Sequence, residues 1–194
     1  MVTFDQQLFL WLNAIHSPFF DRVMTVISYP PTWIPLYLAL IVVLVRQLGR
    51  KMYIMILTIA LMITVSDQGS VIIKNIVRRP RPCYENALDG KVHIVNGKCG
   101  GRFGFLSSHA ANSFAVALLS LLLIRKKWFT VSIITWAIIV GYSRIYLGVH
   151  YPGDVFCGSL FGALAGWAAY LLFDTIDRNY LQKSLYFNPV SKEP

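Results

Sequence analysis

Between Met52 and Val77 the chain reads MYIMILTIALMITVSDQGSVIIKNIV, with Asp67 and Lys74 its only acid and its only base. An apolar helix needs roughly 20 residues to cross the hydrocarbon of a bilayer, and this run is long enough. Working outward, Ser108 to Ile124, Trp128 to Leu147 and Asp154 to Phe173 have the same character. A fifth apolar run lies between Ile27 and Val45, where Pro30, Pro31 and Pro35 remove backbone donors, so its regular helix is expected to begin near Thr32. The pattern predicts an all-α polytopic membrane helix bundle of five transmembrane spans, with six as the alternative, forming one unit over 1–194.

Composition agrees. The 194 residues are 56% hydrophobic and 14% charged, against roughly 25% charged for a soluble domain; mean hydropathy is +0.55. A net charge of +9 asks for an anionic partner. The 18 Lys and Arg are divided among short loops rather than gathered into one stripe, which disfavours nucleic acid and favours anionic lipid or phosphate.

Met1-Val-Thr-Phe-Asp-Gln-Gln-Leu has no basic start ahead of an apolar core, so it does not read as a cleavable signal peptide. Phe4 to Ile15 instead suggests a short amphipathic helix with Leu8, Trp11, Leu12 and Ile15 on one face. Residues 1–22 are therefore expected to lie at the membrane interface. Alternation of spans puts the loops Arg46–Lys51 and Arg125–Lys127 and the C-terminal tail, with Arg178, Lys183 and Lys192, on one face. That face carries nine Lys and Arg, and so does the other, but six remain there once Lys74, Arg81 and Arg144 are assigned another role. The positive-inside rule then favours a cytoplasmic C-terminus. Of three cysteines, Cys157 reads as a small core residue. Cys83 and Cys99 bracket a polar loop and are open to pairing if it lies outside the cytoplasm.

Three polar clusters fall on the face opposite the tail. Lys74, Arg78, Arg79 and Arg81 lie within eight positions, and Pro80 and Pro82 hold that backbone extended; the cluster is either an interfacial anchor or an anion trap. In LSSHAANSFA, Leu106 to Ala115, Ser107 or Ser108 can cap a helix beginning near His109, and the same amides and hydroxyls would cradle a phosphate. In Ser143-Arg144-Ile-Tyr-Leu-Gly-Val-His150-Tyr-Pro-Gly-Asp154, Asp154 falls in a first helical turn. There it can either serve as a cap or accept a hydrogen bond from His150 and leave the other imidazole nitrogen nucleophilic. Asp67 lies on the face of Lys74, about 10 Å deeper, a charge partner or part of a polar pocket with Ser66 and Ser70. His16 and His93 lack such surroundings and read as interfacial or loop residues.

Lys74-x6-Arg81-Pro82, Ser107-x-His109 and Ser143-Arg144-x5-His150-x3-Asp154 together resemble the three-part signature of the type 2 phosphatidic acid phosphatase family. These are membrane enzymes related to vanadium haloperoxidases and bacterial acid phosphatases. Leu106 and Ser108 stand where the family's middle motif has proline and glycine. The resemblance implies a hydrolase acting on the terminal phosphate of a lipid phosphate or diphosphate through a phosphohistidine. His150 would be the nucleophile, Asp154 its orienting acid and His109 the proton carrier. Lys74, Arg81, Ser107, Ser108 and Arg144 would hold the phosphate. No cofactor or metal is expected, because three fixed cations supply the charge a magnesium ion supplies elsewhere. Undecaprenyl diphosphate is the first expected substrate, a lipid A phosphate the second and phosphatidylglycerol phosphate the third. The loop 83–105 is expected to be an extracytoplasmic lid over the site, in a bacterial inner membrane. A phosphotransferase of the same family and a non-enzymatic anionic-lipid carrier are the alternatives.

Overall fold

The computed structural model describes residues 3–182. Seven α-helices follow one another: α1 (Phe4–Asn13), α2 (Pro18–Ser28), α3 (Ile34–Leu48), α4 (Met52–Val77), α5 (Ser108–Ile124), α6 (Lys127–Tyr146) and α7 (Pro152–Ile176). A π-helical turn, Asp177–Gln182, follows α7. Among the described residues there is no β-sheet, only an isolated antiparallel bridge between Pro80 and Phe103. Lys183 and Lys192, used above in the charge count, lie outside the described residues.

Helix ends follow local chemistry. Thr3 and Gln6 close a capping box on α1, and Ser17 caps α2 ahead of Pro18. The N-terminal helix, expected over Phe4 to Ile15, ends at Asn13, and a second helix, α2, begins at Pro18 within the segment assigned to the interface. Pro30 and Pro31 sit in a 3-10 turn, Pro30–Trp33, and Pro35 occupies the first turn of α3, where its missing N–H does no harm. The regular helix thus starts at Ile34, two residues later than the prolines suggested. Gly49, at φ +54°, reverses the chain between α3 and α4.

Three helical stretches are long and apolar enough to cross a membrane: Pro30–Val77, which includes the break at Gly49, Lys127–Tyr146 and Pro152–Asn179. Ser108–Ile124 is apolar but shorter. Their outward faces carry large hydrophobic side chains in the open, among them Ile56, Leu57 and Leu61 on α4, and Leu160, Leu164 and Trp167 on α7. Such a continuous apolar exterior is a surface for lipid rather than water.

The centre of the bundle is α5 against α7. Gly158, Gly162 and Gly166 recur every fourth residue on α7 and lie directly on the α5 backbone. A methyl group at Gly158 would come within 2.5 Å of the Ser107 carbonyl oxygen, and one at Gly166 within 2.5 Å of that of Ala115. Gly162 is tighter still, against Ala111. Small residues at this spacing allow helices to pack where the hydrophobic effect offers little. The pairing also sets α5 and α7 in register at the end that carries the chemistry: the Ser107 N–H donates to the Asp154 carbonyl at 3.0 Å.

The segment from Arg78 to Ser107 is a built cap. Cys83 and Cys99 are disulfide-bonded across it, and buried Leu88 packs with Phe9, Ile145 and Tyr151. Asn13, buried at the end of α1, donates to the carbonyls of His93, Ile145 and Tyr146 and accepts the His93 N–H at 2.8 Å. His93 is more than a loop residue. Its ring stacks on His16 with centroids 3.7 Å apart and pairs with Asp21 at 2.9 Å, and Asp21 also accepts from the Tyr146 hydroxyl.

Candidate active site

Four helix ends and two loops converge on one cavity of about 380 Å³. It is lined by Lys74 from the end of α4, Ser108 and His109 from the first turn of α5, Arg144 from the last turn of α6, and Arg81 and His150 from the flanking loops. The positions follow from the backbone. α4 ends with Arg78 in the left-handed conformation, its N–H on the Lys74 carbonyl, so the chain turns abruptly and continues extended through Arg81. Lys74 Nζ donates to Ser108 Oγ, which shares a second hydrogen bond with Ser70 Oγ at 2.6 Å. Arg144 donates to Ser28 Oγ at the end of α2. Arg81 is braced by the carbonyls of Phe103, at 3.3 Å, and Cys99, at 3.2 Å.

Of the expected phosphate-binding residues, Lys74, Arg81, Ser108 and Arg144 line the cavity and Ser107 does not. Ser107 is fully buried, and its hydroxyl caps α5 by accepting the Ala110 N–H. Asp67 also lines the cavity and accepts from the Asn112 side chain at 3.4 Å. Among the described residues no group of three or more His, Cys, Asp and Glu side chains is gathered that could hold a metal ion.

His150 and Asp154 are both almost completely buried, with Nδ1 3.6 Å from Asp154 Oδ2. That is ion-pair range but longer than a hydrogen bond. Asp154 makes its closer contacts elsewhere: Oδ2 accepts the Tyr151 N–H at 3.0 Å, and Oδ1 accepts from Arg79 at 2.8 Å. Gly104 lies against the pair, where a methyl would come 3.1 Å from Asp154 Oδ2 and 3.6 Å from His150 Nδ1. Burial, followed by the nearby cations Arg81, Arg144 and Lys74, holds the His150 imidazole well below its ordinary pKa, so it is neutral at pH 7. Burial would also lower Arg79, but the carboxylates of Asp154 and Asp5 outweigh it and raise that guanidinium above the usual arginine value.

Arg79, Asp5 and Ser28 are the participants that motif spacing alone did not single out. Arg79 has the same charge as its neighbours, and only the turn at Arg78 decides which way it points. Asp5 and Ser28 belong to helices far away in sequence.

An all-helical bundle that exposes an apolar exterior and gathers three cations, two histidines and a buried acid at one end defines a class. Residues 51–178 match the PAP2 superfamily, and the chain belongs to it. It is a membrane phosphoric ester hydrolase. It is 41% identical over 171 residues to the lipid A 4'-phosphatase of Bacteroides thetaiotaomicron, a match covering 87% of this chain and 76% of that protein. To the lipid A 4'-phosphatase of Porphyromonas gingivalis it is 31% identical, over 87% of this chain and 72% of that one. The fold is similar to the crystal structure of Aquifex aeolicus LpxE, with a TM-score of 0.66 and 26% identity over 84% of this chain and 92% of that one.

Proposed function

We propose that the protein removes a phosphate from a membrane lipid, with a lipid A phosphate now the first candidate substrate, ahead of undecaprenyl diphosphate and phosphatidylglycerol phosphate. The single observation that carries the chemistry is the common cavity of Lys74, Arg81, Arg144, Ser108, His109 and His150. The change in substrate order rests on the two relatives named lipid A 4'-phosphatase.

With Nδ1 on the Asp154 side, His150 Nε2 is the nitrogen left to attack phosphorus. The new N–P bond forms as the P–O bond to the lipid breaks, and His109 gives its proton to the departing oxygen. His109 then takes a proton from water as that water attacks phosphorus, the N–P bond breaks, and inorganic phosphate leaves. The three cations hold the non-bridging oxygens throughout and stabilise the charge of the transition state. Ser107 contributes by aiming the first amides of α5 towards this site. The reading is metal-independent.

In this reading the apolar helices α3 to α7 supply five spans, with the site on the extracytoplasmic face of a bacterial inner membrane and the C-terminus cytoplasmic. Residues 1–22 lie at the interface, and 83–105 form the lid. A substrate at this depth keeps its acyl chains in the bilayer while its phosphate enters the cavity.

The test is a panel of lipid A 4'-phosphate, undecaprenyl diphosphate and phosphatidylglycerol phosphate, offered to purified protein in detergent with EDTA. Free phosphate is measured and kcat/KM compared. The highest value is expected for the lipid A substrate; dependence on added metal, or no release from any of the three, would count against the reading. A pH profile adds a second expectation. Because His150 resists protonation, the nucleophile stays competent as the pH falls through the ordinary imidazole value and is lost only further down. The enzyme limb of kcat/KM, corrected for the phosphate's own second ionisation near 6, should therefore fall below about 6.5.

A further inference from the structure

Arg79 turns away from the cavity that its neighbours Lys74 and Arg81 line. One terminal nitrogen donates to Asp154 Oδ1 at 2.8 Å and the other to Asp5 Oδ2 at 2.7 Å. The guanidinium lies 4.1 Å from the centroid of the Tyr151 ring. Asp5 in turn accepts the Gly153 N–H at 2.9 Å, in an approach so close that a methyl on Gly153 would fall 2.8 Å from Asp5 Oδ2. A carboxylate, a guanidinium and a second carboxylate thus run from the N-terminal helix to the acid beside His150.

Around His150 stand Lys74 from α4, Arg81 from the cap, His109 from α5, Arg144 from α6 and Asp154 from α7. Three of these are fixed cations, and Asp154 is the carboxylate within ion-pair reach of the ring. At that distance its charge favours an imidazolium, as does the backbone of Gly104 beside the ring. That charge is shared with Arg79, and Arg79 is shared with Asp5.

We propose that Asp5 and Arg79 are positioning residues that set how much negative charge Asp154 presents to His150. The inference rests on the phosphatase reading above and adds two residues to it. Removing Arg79 takes the cation off Asp154 Oδ1 while the Tyr151 N–H stays on Oδ2, so the carboxylate presents more charge to His150 and a proton binds the ring more readily. Removing the charge of Asp5 leaves Arg79 wholly to Asp154, so a proton binds less readily. The two substitutions therefore act in opposite directions, although each breaks an ion pair in the same chain of contacts.

The experiment measures kcat/KM against pH for the wild type, Arg79→Gln, Arg79→Lys, Asp5→Asn and the double variant with one lipid phosphate, so that the substrate's own ionisation cancels in the comparison. In parallel, the His150 ring is titrated by NMR in histidine-labelled protein, with His150→Ala giving the assignment. The acid limb and the ring titration should move up by about half a pH unit or more in Arg79→Gln and down in Asp5→Asn. Arg79→Lys should stay near wild type, and the double variant should match Arg79→Gln, because Asp5 acts through Arg79. Limbs that stay in place or move the same way in Arg79→Gln and Asp5→Asn would overturn the proposal. Should Arg79→Gln not fold, Asp5→Asn, which keeps an oxygen for the Gly153 N–H, decides it alone by moving down or not. Absence of turnover in the wild type would overturn the phosphatase reading instead, while the NMR titration would still test the coupling.

Discussion

His150→Ala should lower phosphate release by about 10⁴-fold or more, the scale of losing a covalent nucleophile, while the protein stays folded. The substitution removes a ring that is 2% exposed and that is neutral at pH 7 in the fold, as an ordinary imidazole mostly is there. Lost packing should lower melting modestly, a small effect beside the loss of rate. The vacated volume adjoins a cavity of about 380 Å³, room enough for a free imidazole. Added imidazole should restore part of the activity in His150→Ala and none in Lys74→Ala. Turnover within tenfold of wild type in the unrescued variant would remove His150 from the role of nucleophile.

The second large effect is structural. Gly162→Leu should separate α5 from α7 and abolish both cooperative unfolding and activity, because the new side chain has only the Ala111 backbone to occupy. Overpacking of a close interface usually costs about 1–3 kcal/mol, and here backbone rather than a flexible side chain stands in the way, so the upper end or beyond is expected. Ser108 and His109 ride on α5 and Asp154 on α7, so a shift between these helices also disassembles the site. Gly101→Ala is the contrast: nothing lies within 4 Å of a methyl there, and both Tm and activity should stay at wild-type values. Denaturation in detergent, followed by circular dichroism alongside the phosphate assay, checks both. A Gly162→Leu protein with wild-type melting would show that the glycine ladder does not hold the bundle together.

Hydropathy located α4 and α5 to the residue, because a run such as Met52–Val77 is bounded by charged residues, Arg50 and Lys51 before it and Arg78 and Arg79 after it. It did worse where prolines cluster. The short helix α2 was concealed because Pro18 opens it and Pro30 closes it, a pattern that reads from sequence as a broken span. The cavity residues Lys74, Arg81, His109, Arg144 and His150 were legible because their chemistry is unusual inside an apolar chain and their spacings are rigid. Ser107 and Ser108 could not be separated by type. Both are serines at a helix start, and only the helical rotation between them sends one to the cap and the other to the cavity. The ladder Gly158-x3-Gly162-x3-Gly166 was present in the sequence as a small-residue spacing, but which helix it meets depends on the tertiary arrangement. The partnership of Arg79 with Asp5 spans 74 positions, and no local pattern encodes it.

The bond from Gly153 to Asp5 joins positions 148 apart, which gives the molecule an order of assembly. α1 precedes the rest of the bundle in the chain; Asn13 and Asp5 can meet His93 and Arg79 earlier, but their remaining partners, the Ile145 and Tyr146 carbonyls and the Gly153 N–H, come only with α6 and the start of α7. Contacts of such long separation form late, because closing the intervening chain must precede any gain from them. The N-terminal helix is therefore made before α6 and α7 yet among the last elements to finish docking, and its arrival completes the surroundings of Asp154. An inserted but unfinished bundle would hold its cations in the membrane without the bridge that restrains Asp154, so full activity should appear only when α1 meets the start of α7.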